Sequence, residues 1–565
     1  MHSLKEFTLL AMFNRTLDRF PDHNALGMGK DKPITYRQLN QRINEVIDFL
    51  DLQNISAGDK VAILSDNMPQ WVIAYMAITF MGAVAVPILK DFHSNEIMHI
   101  IRHSETKLIF VSQQLFDKIN VDYTGTNIPL VMIENFEIIP HYMKKEGLRE
   151  FVSEQTAKLT KIKKKAMKAI GLKKHKVTED DLAALIYTSG TTGQSKGVML
   201  THKNLVYDAY ATKKGIQNVD ENDRLISILP LAHTYECTIG MIIPIMSGSF
   251  IYYLDRPPTP SVLIPVCQKI KPTMILTVPL IIEKIFKIQI YPQFTKNKLL
   301  RFFYKIPNTR RILHKIAGKK LLALFGGMIH FFGIGGAKLS YEVERFLWEA
   351  GFPYAIGYGL TETSPLIAGQ TPSKMKFRST GIPVPGMEVK IDKASPDHKE
   401  GEILIRGDNV MKGYFNDPER TAEVFTDDGF FRTGDLGILD KDNYLYIKGR
   451  IKNVIIEASG KNIYPEEIES VINQHELVLE SMVFYSNNRL QARVFLNYEV
   501  IDLQKGLQKI SANAAQKEID KLLESIRLQI NENLSSYTKI MKLIEHKAPF
   551  DKTPTMKIKR FLYED

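Results

Sequence analysis

Short apolar runs alternate with longer amphipathic stretches through much of the chain. Between residues 34 and 115, Lys60–Leu64 and Ala83–Pro87 have the length and apolar content of buried strands, and Trp71–Ile78 between them has a helical pattern. Similar strand-like runs recur at Leu225–Leu229, Thr273–Thr277 and Met328–Phe332. This alternation predicts βαβ units and therefore a largely parallel sheet.

The pattern changes twice towards the C-terminus. From Gly381 to Tyr446 the apolar segments are short and are broken by Gly, Asp and Asn, as in an antiparallel sheet. After Lys448 helical and strand patterns mix, and the sequence ends in a lysine-rich segment. We therefore predict an α/β protein with a domain boundary at Arg450 to Asn453. The boundary separates a large N-terminal domain, residues 1–450, from a small α+β domain, residues 451–565.

Length and composition fit this two-domain interpretation. A chain of 565 residues exceeds one ordinary core, and its 44% apolar content suffices to fold two. The two cysteines, Cys237 and Cys267, form neither a disulfide framework nor a metal-binding CxxC pair, which suits a reducing cytoplasm. The apolar Phe7–Phe13 lacks the basic flank and cleavage pattern of a signal peptide, so we expect an amphipathic helix. No uninterrupted apolar run reaches the roughly 18 residues of a membrane span.

The net charge of +11 is concentrated in two segments. Residues 155–178 contain nine lysines and residues 284–341 contain twelve lysines and arginines, with no acid in either, so the remainder of the chain is net acidic. The first segment is best interpreted as a solvated face. In the second, Leu299–Tyr304 and Leu321–Phe325 interleave apolar residues with cations, which suits an anionic lipid surface. We predict salt-sensitive, peripheral membrane contact that involves Arg301, Lys305, Arg310 and Arg311.

A run rich in Gly, Ser and Thr at residues 187–200 has the chemistry of a polyphosphate-binding loop. It reads Tyr-Thr-Ser-Gly-Thr-Thr-Gly-Gln-Ser-Lys-Gly-Val-Met-Leu and follows a buried strand pattern at Leu182–Tyr187. Its glycines let backbone N–H groups approach an anion closely, and Lys196 supplies positive charge. A P-loop is excluded, because its GxxxxGK[ST] spacing requires glycine at Ser195 and Ser or Thr at Gly197. Taken alone, the run is equally compatible with a polar surface loop.

Three further motifs follow the Gly-rich run in order. They are Gly357-Tyr-Gly-Leu-Thr-Glu-Thr-Ser-Pro365, Thr433-Gly-Asp-Leu-Gly437 and Lys448-Gly-Arg-Ile-Lys452. Together the four motifs resemble those of the adenylate-forming superfamily of acyl-CoA synthetases, luciferases and peptide-synthetase adenylation domains, and the resemblance covers nearly the whole chain. Within that superfamily, residues 230–236 (Pro-Leu-Ala-His-Thr-Tyr-Glu) and 552–557 (Lys-Thr-Pro-Thr-Met-Lys) look most like long-chain fatty acid–CoA ligases.

That resemblance implies ATP-dependent, AMP-forming activation of a long-chain fatty acid through an acyl-adenylate, followed by transfer to coenzyme A. The implied cofactor and co-substrates are Mg²⁺, ATP and coenzyme A. It also implies a β-barrel-like region in the large domain, and a mobile small domain that rotates about Lys452 between the two half-reactions. Two other interpretations stay open: a ligase that delivers the acyl group to a carrier protein, and a catalytically silent membrane-binding scaffold. Oligomeric state and acyl chain length are not predicted.

The resemblance assigns the ATP contacts by position. Tyr358, with the backbone of Gly357 and Gly359, corresponds to the strip that stacks on adenine. Asp435 is expected in a turn between strands, where it would accept both ribose hydroxyls and pair with Arg450. Without the family pattern, Asp435 would be an ordinary turn residue. The residues implied to bind the phosphates are Thr188, Ser189, Gly190, Thr191, Thr192, Gly193 and Lys196.

The residues implied to act on the reacting groups are Lys557, Thr361, Glu362 and Lys196. Glu362 is a hard oxygen ligand of the kind that Mg²⁺ prefers, and Thr361 would donate to the α-phosphate. Taken alone, this Thr-Glu pair fits the first turn of a helix equally well. Lys557 corresponds to the adenylation lysine of the family, which reaches the carboxylate and α-phosphate oxygens. Ser195 and Met556 depart from the Pro and Gly that many relatives carry before the two lysines.

The acyl and coenzyme A sites are also assigned by the resemblance. His233 and the Gly335-Gly336-Ala337 strip are implied to line the acyl site, although an isolated histidine is more often simply buried. Gly460 is implied to admit the pantetheine arm of coenzyme A. We therefore expect small-molecule partners and no nucleic acid, in a cytoplasmic protein with peripheral contact at the inner face of the membrane.

Overall fold

The computed structural model describes residues 4–119, 128–140, 175–188, 195–216, 218–395, 398–456, 462–486, 489–505, 511–553 and 557–563. Several predictions made above therefore lie outside the described residues: the lysine-rich residues 155–174, the phosphate-loop residues Ser189 to Gly193, and Gly460. Within the described ranges, no helix is both long and apolar enough to cross a bilayer.

Strands and helices alternate over the first two thirds of the chain. The strands are β1 (Asn24–Met28), β2 (Ile34–Thr35), β3 (Lys60–Leu64), β4 (Val84–Pro87), β5 (Thr106–Val111), β6 (Leu130–Met132), β7 (Glu137–Ile138), β8 (Leu182–Thr188), β9 (Lys196–Thr201), β10 (Arg224–Ser227), β11 (Phe250–Tyr253), β12 (Met274–Thr277), β13 (Phe331–Ile334), β14 (Tyr354–Gly359), β15 (Leu366–Gly369) and β16 (Ile382–Pro383). The helices are α1 (Leu9–Arg19), α2 (Tyr36–Leu52), α3 (Pro69–Phe80), α4 (Ser94–His103), α5 (His202–Gly215), α6 (Ile243–Ser247), α7 (Pro260–Ile270), α8 (Pro279–Ile285), α9 (Tyr291–Thr295), α10 (Lys298–Lys305), α11 (Pro307–Leu324) and α12 (Tyr341–Ala350). Wider π-helical turns cover Tyr235–Ile242 and Phe286–Ile290, and 3-10 turns cover Gln113–Lys118 and Thr361–Thr363.

Two mostly parallel sheets form the large N-terminal part, as the alternation predicts. The first has the order β16-β15-β14-β13-β12-β10-β11-β1-β2 and is parallel from β14 to β1. The second has the order β19-β9-β8-β4-β3-β5-β6-β7, where β19 is Gly413–Tyr414, and is parallel from β8 to β6. Helix α3 is apolar on all sides and is accordingly buried, which places the main core around it. The α/β prediction is confirmed.

A third, antiparallel sheet follows, where the sequence predicts one. Its strands are β17 (Glu388–Asp392), β18 (Gly401–Arg406), β20 (Phe431–Leu439) and β21 (Leu445–Arg450), in the order β17-β18-β20-β21, and helix α13 (Pro418–Glu423) precedes β20. The β20–β21 register sets Asp435 directly opposite Arg450. The region that we expect to be barrel-like is thus a four-stranded antiparallel sheet in the described residues.

A smaller C-terminal domain has a hydrophobic core of its own. Its strands are β22 (Ile455–Ile456), β23 (Asn462–Ile463), β24 (Val478–Ser486), β25 (Arg489–Leu496) and β26 (Lys542–Glu545), and its helices are α14 (Pro465–Ile472), α15 (Tyr498–Lys505) and α16 (Ala512–Asn531). Further 3-10 turns cover Ile451–Asn453, Ser536–Thr538 and Arg560–Leu562. The core is built from residues between Ile463 and Leu543. The boundary at Arg450 to Asn453 stays a prediction.

Candidate functional site

Lys196 and Glu362 meet at the end of the β8–β9 hairpin. Lys196 is the first residue of β9 and lies opposite Thr188, so the hairpin loop between them is the predicted phosphate loop. The Lys196 Nζ lies 3.0 Å from Glu362 Oε1. Tyr414 joins them, because its hydroxyl donates to the same Glu362 oxygen at 2.9 Å and its ring lies 4.1 Å from the Lys196 Nζ. Tyr414 therefore forms a three-residue cluster with the two predicted residues, Lys196 and Glu362.

The turn that carries Glu362 is held in place by hydrogen bonds from buried polar side chains. The Asn409 side chain donates to the carbonyls of Thr363 (3.0 Å) and Leu366 (2.9 Å), and also lies 3.0 Å from Asp208 Oδ1. The Thr238 hydroxyl donates to the Ser364 carbonyl at 2.6 Å. Because these groups are buried, a shift of the turn would leave them without hydrogen-bond partners. The turn at Thr361–Thr363 is therefore held rigidly against the rest of the domain.

Glu362 stays ionised although it is only 8% exposed. Burial alone would raise the pKa of its carboxyl group, but the Lys196 charge and the hydrogen bonds from Lys196 and Tyr414 outweigh burial and lower the pKa below the ordinary value. The hydrogen bonds from Lys196 and Tyr414 both use Oε1, which leaves Oε2 outside that cluster. The site thus offers a carboxylate oxygen that is charged and still available to a ligand.

A second polar cluster joins Tyr358, Asp435 and Arg450. The Arg450 Nε lies 2.8 Å from Asp435 Oδ1, and the Tyr358 hydroxyl donates to Asp435 Oδ2 at 2.7 Å. Burial raises the pKa of the Asp435 carboxyl, while Arg450 and Tyr358 act in the opposite direction. The expectation that Asp435 lies in a turn is wrong, because it lies inside β20, where it pairs across the sheet with β21. Two strands therefore hold the acid and its arginine side by side.

The glycines around Tyr358 have different structural roles. A Cβ atom on Gly359 would lie 1.8 Å from the Pro365 carbonyl oxygen, so the close β14–β15 pairing excludes any other residue there. A Cβ atom on Gly357 would lie 3.1 Å from a Leu366 methyl group and 3.9 Å from the Ala368 carbonyl oxygen, which are far milder contacts. Gly359 is therefore required by the fold itself, whereas Gly357 and Tyr358 are half-buried and Tyr358 bonds to Asp435.

His233 and Tyr235 stand beside the predicted acyl strip. The Tyr235 backbone N–H donates to His233 Nδ1 at 3.2 Å, so the proton of the neutral ring is on Nε2. Burial, aided by the Lys557 charge, lowers the pKa of His233 to about 4, which keeps the ring neutral near pH 7. A Cβ atom on Gly335 would lie 3.1 Å from the Tyr235 ring, so the missing side chain makes room for that ring. Gly336 has a φ of +88°, a conformation that favours glycine.

Lys557 enters this neighbourhood from the C-terminal domain. Its ammonium group is close enough to Arg450, Asp435 and Glu362 to interact with all three charges. Burial lowers its pKa first and Arg450 lowers it further, while the two acids oppose the shift. Lys557 is nevertheless exposed to solvent, so the protein that lowers its pKa does not close it off from water. The structure thus brings together residues from the Gly-rich hairpin, the Thr361 turn, β20, β21 and the C-terminal segment.

The segment that carries Lys557 is held by its own domain. The Thr553 N–H donates to the Lys557 carbonyl at 2.8 Å, and the Lys557 N–H donates to the Thr553 hydroxyl at 3.2 Å. On either side, Lys552 pairs with Glu480, and Arg560 makes two bonds to the buried Glu469 carboxylate. Thr553 and Lys557 are therefore bonded to each other, and an ion pair lies on either side of them.

Comparison with known proteins identifies the family. Residues 13–415, well over half of the chain, match the family model described as AMP-binding enzyme. The chain belongs to the AMP-binding enzyme family.

Curated relatives of this AMP-binding enzyme extend the similarity through the C-terminal domain. It is 28% identical over 575 residues to the long-chain-fatty-acid–CoA ligase of Bacillus subtilis. The alignment covers 98% of this chain and 93% of the relative. It is 26% identical over 607 residues to the chloroplastic long-chain-fatty-acid–[acyl-carrier-protein] ligase AEE15 of Arabidopsis thaliana. This alignment covers 93% of this chain and 80% of the relative. The family match and these relatives make the chain an ATP-dependent, adenylate-forming ligase.

A solved structure shares the fold of this enzyme. The O-succinylbenzoate coenzyme A synthetase MenE from Bacillus subtilis, in complex with ATP and magnesium ion, aligns with a TM-score of 0.72 at 22% identity, over 97% of this chain and 98% of that chain. The similarity confirms the adenylate-forming fold and the smaller C-terminal domain.

Contacts between the large and small parts of this AMP-binding enzyme lie close to the site. Lys338, next to the acyl strip, pairs with Glu467 at 2.9 Å. Lys287 donates to the carbonyls of His475 (2.9 Å) and Val478 (2.7 Å). Lys452, the predicted hinge residue, lies in the 3-10 turn Ile451–Asn453 that connects the last strand of the large part to the small domain.

Sequence reasoning missed two residues of the AMP-binding site region. Tyr414 belongs to a two-residue strand that pairs with Val198 of β9, and neither its length nor its sequence neighbours indicate that pairing. Glu236 is fully buried in the π-helical turn, where the Ser227 hydroxyl donates to Oε1 at 2.6 Å and Oε2 has no partner among the described residues. Burial raises the pKa of Glu236 to about 8, so this acid is largely protonated at neutral pH.

Proposed function

We propose that this enzyme is a long-chain fatty acid–CoA ligase that works through a fatty acyl-adenylate. The observation that carries the proposal is the convergence of Lys557 with Glu362, Asp435, Arg450 and His233, because these groups come from separate segments and all interact electrostatically with the same lysine. A scaffold that retained only the fold would have no reason to keep a lysine and an arginine within electrostatic reach of two buried acids. Curated relatives named as long-chain ligases support the choice of acid.

Attack of a fatty acid carboxylate on ATP brings two anions together. A bond forms from a carboxylate oxygen to the α-phosphorus, the bond from that phosphorus to the pyrophosphate oxygen breaks, and pyrophosphate leaves. Negative charge builds on the α-phosphate oxygens, so the reaction needs cations and N–H donors at that position. We assign this task to Lys557, with a hydrogen bond from Thr361. Lys196 would hold the leaving phosphates together with Thr188 and the residues Ser189, Gly190, Thr191, Thr192 and Gly193.

The nucleoside would occupy the cluster around Asp435. Its carboxylate can accept both ribose hydroxyls, since it is an acceptor only, and Arg450 keeps it charged and oriented. The half-buried Tyr358 ring and the backbone of Gly357 and Gly359 would form the adenine strip. On binding, the ribose would compete with the Tyr358 hydroxyl for Asp435.

Glu362 fits a Mg²⁺ ion that is shared with the substrate. Mg²⁺ is usually bound by one or two carboxylates together with phosphate oxygens and water, and it would neutralise phosphate charge here. No cluster of three His, Cys, Asp or Glu side chains that could form a closed metal site is found among the described residues, so a single carboxylate is the matching donor set. The charged state of Glu362 and its available Oε2 supply that donor.

His233 and the glycine strip would receive the acid. The neutral ring carries its proton on Nε2 and can therefore donate a hydrogen bond to the substrate carboxylate without adding charge. Behind it, Tyr235 packs against Gly335, and Gly336 and Ala337 are exposed small residues that leave room for an acyl chain.

Transfer to coenzyme A needs different surroundings at the same carbonyl. The thiol sulfur, its proton lost to solvent, bonds to the carbonyl carbon, and the bond to the AMP oxygen breaks. We propose that the small domain, residues 451–565, rotates about Lys452, removes Lys557 and brings Gly460 towards the pantetheine arm. The two parts otherwise meet through contacts such as Lys338–Glu467, whose side chains are partly exposed, so that solvent screening keeps the pair weak enough to break.

The acceptor separates this proposal from its alternative. A relative named as an acyl-carrier-protein ligase makes a carrier protein the second candidate. We place the enzyme in the cytoplasm, with small-molecule substrates and a peripheral contact with the inner face of the membrane.

One experiment tests the activity and the acceptor together. The enzyme is incubated with ATP, Mg²⁺ and acids of increasing chain length, and pyrophosphate and AMP release are measured without acceptor, with coenzyme A and with a carrier protein bearing pantetheine. We expect pyrophosphate from long-chain acids without acceptor, and multiple turnovers only with coenzyme A. Turnover with the carrier protein alone would establish the alternative acceptor. Absence of acid-dependent pyrophosphate release would establish a silent scaffold.

A further inference from the structure

Helices α10 and α11, the cationic helix pair, are anchored to the protein by one face only. Inside, Tyr304 stacks on Phe294 with 5.1 Å between ring centroids and contacts His314 Nε2 at 3.0 Å. Arg310 makes two hydrogen bonds to Glu349, at 2.7 and 3.0 Å, and His314 Nδ1 lies 2.8 Å from the same carboxylate. These contacts fix how the pair is oriented.

The outward face of the cationic helix pair is both apolar and positively charged. Its apolar side chains are well exposed, at 65% for Leu299, 62% for Phe302 and 59% for Ile312. They continue with Phe303, Ile306 and Ile316. Between them stand exposed cations: Lys298, Arg301, Lys305, Arg311, Lys315, Lys319 and Lys320. On α11, Arg311, Ile312, Lys315, Ile316, Lys319 and Lys320 follow the three- and four-residue spacing of one helix face.

This charge is not balanced by the surrounding protein. The sequence has no acid from Lys284 to Tyr341. Among the described residues, the arginines and lysines of these two helices form one ion pair, which joins the inward Arg310 to Glu349. Arg310 differs from the other three residues of the prediction, because its guanidinium is mostly buried and bound to the Glu349 carboxylate, so it does not belong to the outward face. Arg301, Lys305 and Arg311 remain exposed, as the prediction requires.

Mixed apolar and cationic surface of this kind matches the boundary of an anionic bilayer. The aliphatic and aromatic side chains gain by leaving water for the acyl region, and cations gain from anionic headgroups at the same depth. A nucleic acid would use the cations but would leave Leu299, Ile312 and Ile316 in water. Charge complementarity and exposed aliphatic groups together favour a lipid partner.

The cationic helix pair is also connected to the predicted acyl strip. It lies in the crossover between β12 and β13, which are paired in parallel. The Gly335 N–H donates to the Thr277 carbonyl at 3.1 Å, so the ends of these strands border the strip, and α8 begins at Pro279 just beyond. A bilayer held at this surface would be a local source of fatty acid.

We propose that the outward face of the cationic helix pair is a docking surface for an anionic lipid bilayer. The enzyme would bind reversibly, with the apolar residues in the headgroup and upper acyl region and the cations at the phosphates. Each cation contributes about fivefold to partitioning, so even four exposed ones produce strong attraction at low salt. The attraction should weaken as the screening length shortens from about 8 Å at physiological salt to about 3 Å at about 1 M.

Vesicle co-sedimentation of the full-length enzyme, without ATP or coenzyme A, tests this surface. The charge variant carries Arg301→Gln, Arg311→Gln, Lys315→Gln and Lys319→Gln. A matched control removes four exposed cations elsewhere: Lys30→Gln, Lys32→Gln, Lys214→Gln and Lys393→Gln. An apolar variant carries Leu299→Ser, Phe302→Ser, Ile312→Ser and Ile316→Ser. Vesicles of phosphatidylcholine alone are compared with vesicles that also contain phosphatidylglycerol.

We expect the wild type and the control to bind anionic vesicles in a salt-sensitive way, and the charge variant to bind at least about tenfold more weakly. At high salt, the apolar variant should bind vesicles more weakly than the wild type, because the apolar side chains supply the part of the binding that salt does not screen. Equal binding by the charge variant and its control, or wild-type binding to neither vesicle type, would overturn the proposal. So would a wild type that self-associates in solution through these apolar residues, or that prefers nucleic acid to anionic vesicles.

Circular dichroism and acid-dependent pyrophosphate release with a soluble acid serve as controls for folding. All residues changed here lie outside the candidate site, so both readouts should match those of the wild type. Failure of the proposed ligase activity would appear as missing pyrophosphate release in every protein, and the vesicle data would keep their meaning.

Discussion

The two contributors to the candidate site are held in different ways. On the large side, Lys196 and Glu362 are fixed by a hairpin, a buried turn and Tyr414, and Asp435 and Arg450 face each other across two strands. On the small side, Lys557 is bonded to Thr553, and the ion pairs that flank these two residues use Glu480 and Glu469 of the same domain.

This difference matches what each group has to do. Groups that hold ATP or AMP through both half-reactions gain from a rigid setting, because pre-organised charge needs no rearrangement when the transition state forms. A lysine that serves only the first half-reaction gains from a setting that can leave as a unit. If the division is correct, substitutions on the two sides should affect the two half-reactions differently.

Removal of Lys557 should separate the two half-reactions most clearly. We expect Lys557→Ala to slow acyl-adenylate formation by about 10²–10³, the usual effect of losing one electrostatic contact to a transition state. Thioester formation from supplied acyl-AMP should stay near the wild-type rate. Pre-steady-state measurement of both steps checks this. Lys559→Ala, two residues on, is the matched control and should leave both steps intact. Equal losses in both steps would contradict the assigned role.

The pH dependence of adenylation offers a second view of Lys557. Burial and Arg450 lower its pKa, so the ammonium should be lost at a lower pH than an ordinary lysine. Adenylation should therefore decline on the alkaline side, and the decline should be absent in Lys557→Ala. His233, with a pKa of about 4, should add no change between pH 6 and 8.

Glu362→Gln should weaken the rigid side of the site. The substitution keeps the shape but removes the negative ligand and the partner of Lys196. We expect adenylation at limiting Mg²⁺ to fall by about 10², with partial recovery as Mg²⁺ is raised. Tyr414→Phe is the companion variant, because it keeps the charge pair and removes only one hydrogen bond, so its loss should be smaller. Wild-type adenylation by Glu362→Gln at limiting Mg²⁺ would make Glu362 a structural residue.

The sequence predicts the strands and helices of the large domain well where the pattern depends on neighbouring residues. The strand at Lys60–Leu64, helix α3 and the antiparallel region after Gly381 all follow from periodicity, which depends on neighbouring residues. Tyr414 could not be predicted, because it reaches Glu362 through pairing with a strand far away in the sequence. The misplacement of Asp435 has a similar cause: Gly434 has a positive φ of 68° and reads as a turn, yet the strand continues through it.

The cationic helix pair shows the same limit. Composition alone indicates a basic surface, but it cannot tell which cations face outward. Arg310 and Arg311 are adjacent in sequence, and one is committed to Glu349 while the other faces solvent. Helical geometry and a carboxylate from α12 decide between them. Charge patterns therefore predict that a surface exists, and packing decides its members.

Lys452→Pro tests whether the small side moves as a unit. Proline fixes φ and restricts the residue before it, so a backbone that must change conformation between half-reactions would be blocked. We expect near-normal adenylation and a transfer to coenzyme A that is slower by about tenfold to a hundredfold, as for a misplaced reacting group. Lys452→Ala is the control, since it removes the charge and keeps the backbone free. Normal transfer by Lys452→Pro would place the hinge elsewhere.

The smallest effect concerns Glu236, which is fully buried in the large domain, and it should appear in folding stability alone. Glu236 has its pKa raised from 4.5 to about 8 by burial, so the folded protein retains a proton that the unfolded chain loses. Folding stability should therefore fall as the pH rises from about 4.5 to about 8, by up to about 1.4 kcal/mol per pH unit from this group.

Glu236→Gln should abolish that dependence, because the amide is neutral at every pH and can still accept from Ser227. The variant should gain stability over the wild type at about pH 8 and show little gain near pH 4.5, where the acid is protonated in both states. Urea unfolding followed by tryptophan fluorescence measures this, since Trp71 is buried in the main core. Unfolding midpoints that differ equally at both pH values would show that Glu236 is ionised in the folded protein. The ratio of the two half-reaction rates should stay unchanged, because the Glu236 side chain is fully buried and bonds to Ser227, a residue with no assigned role in either half-reaction.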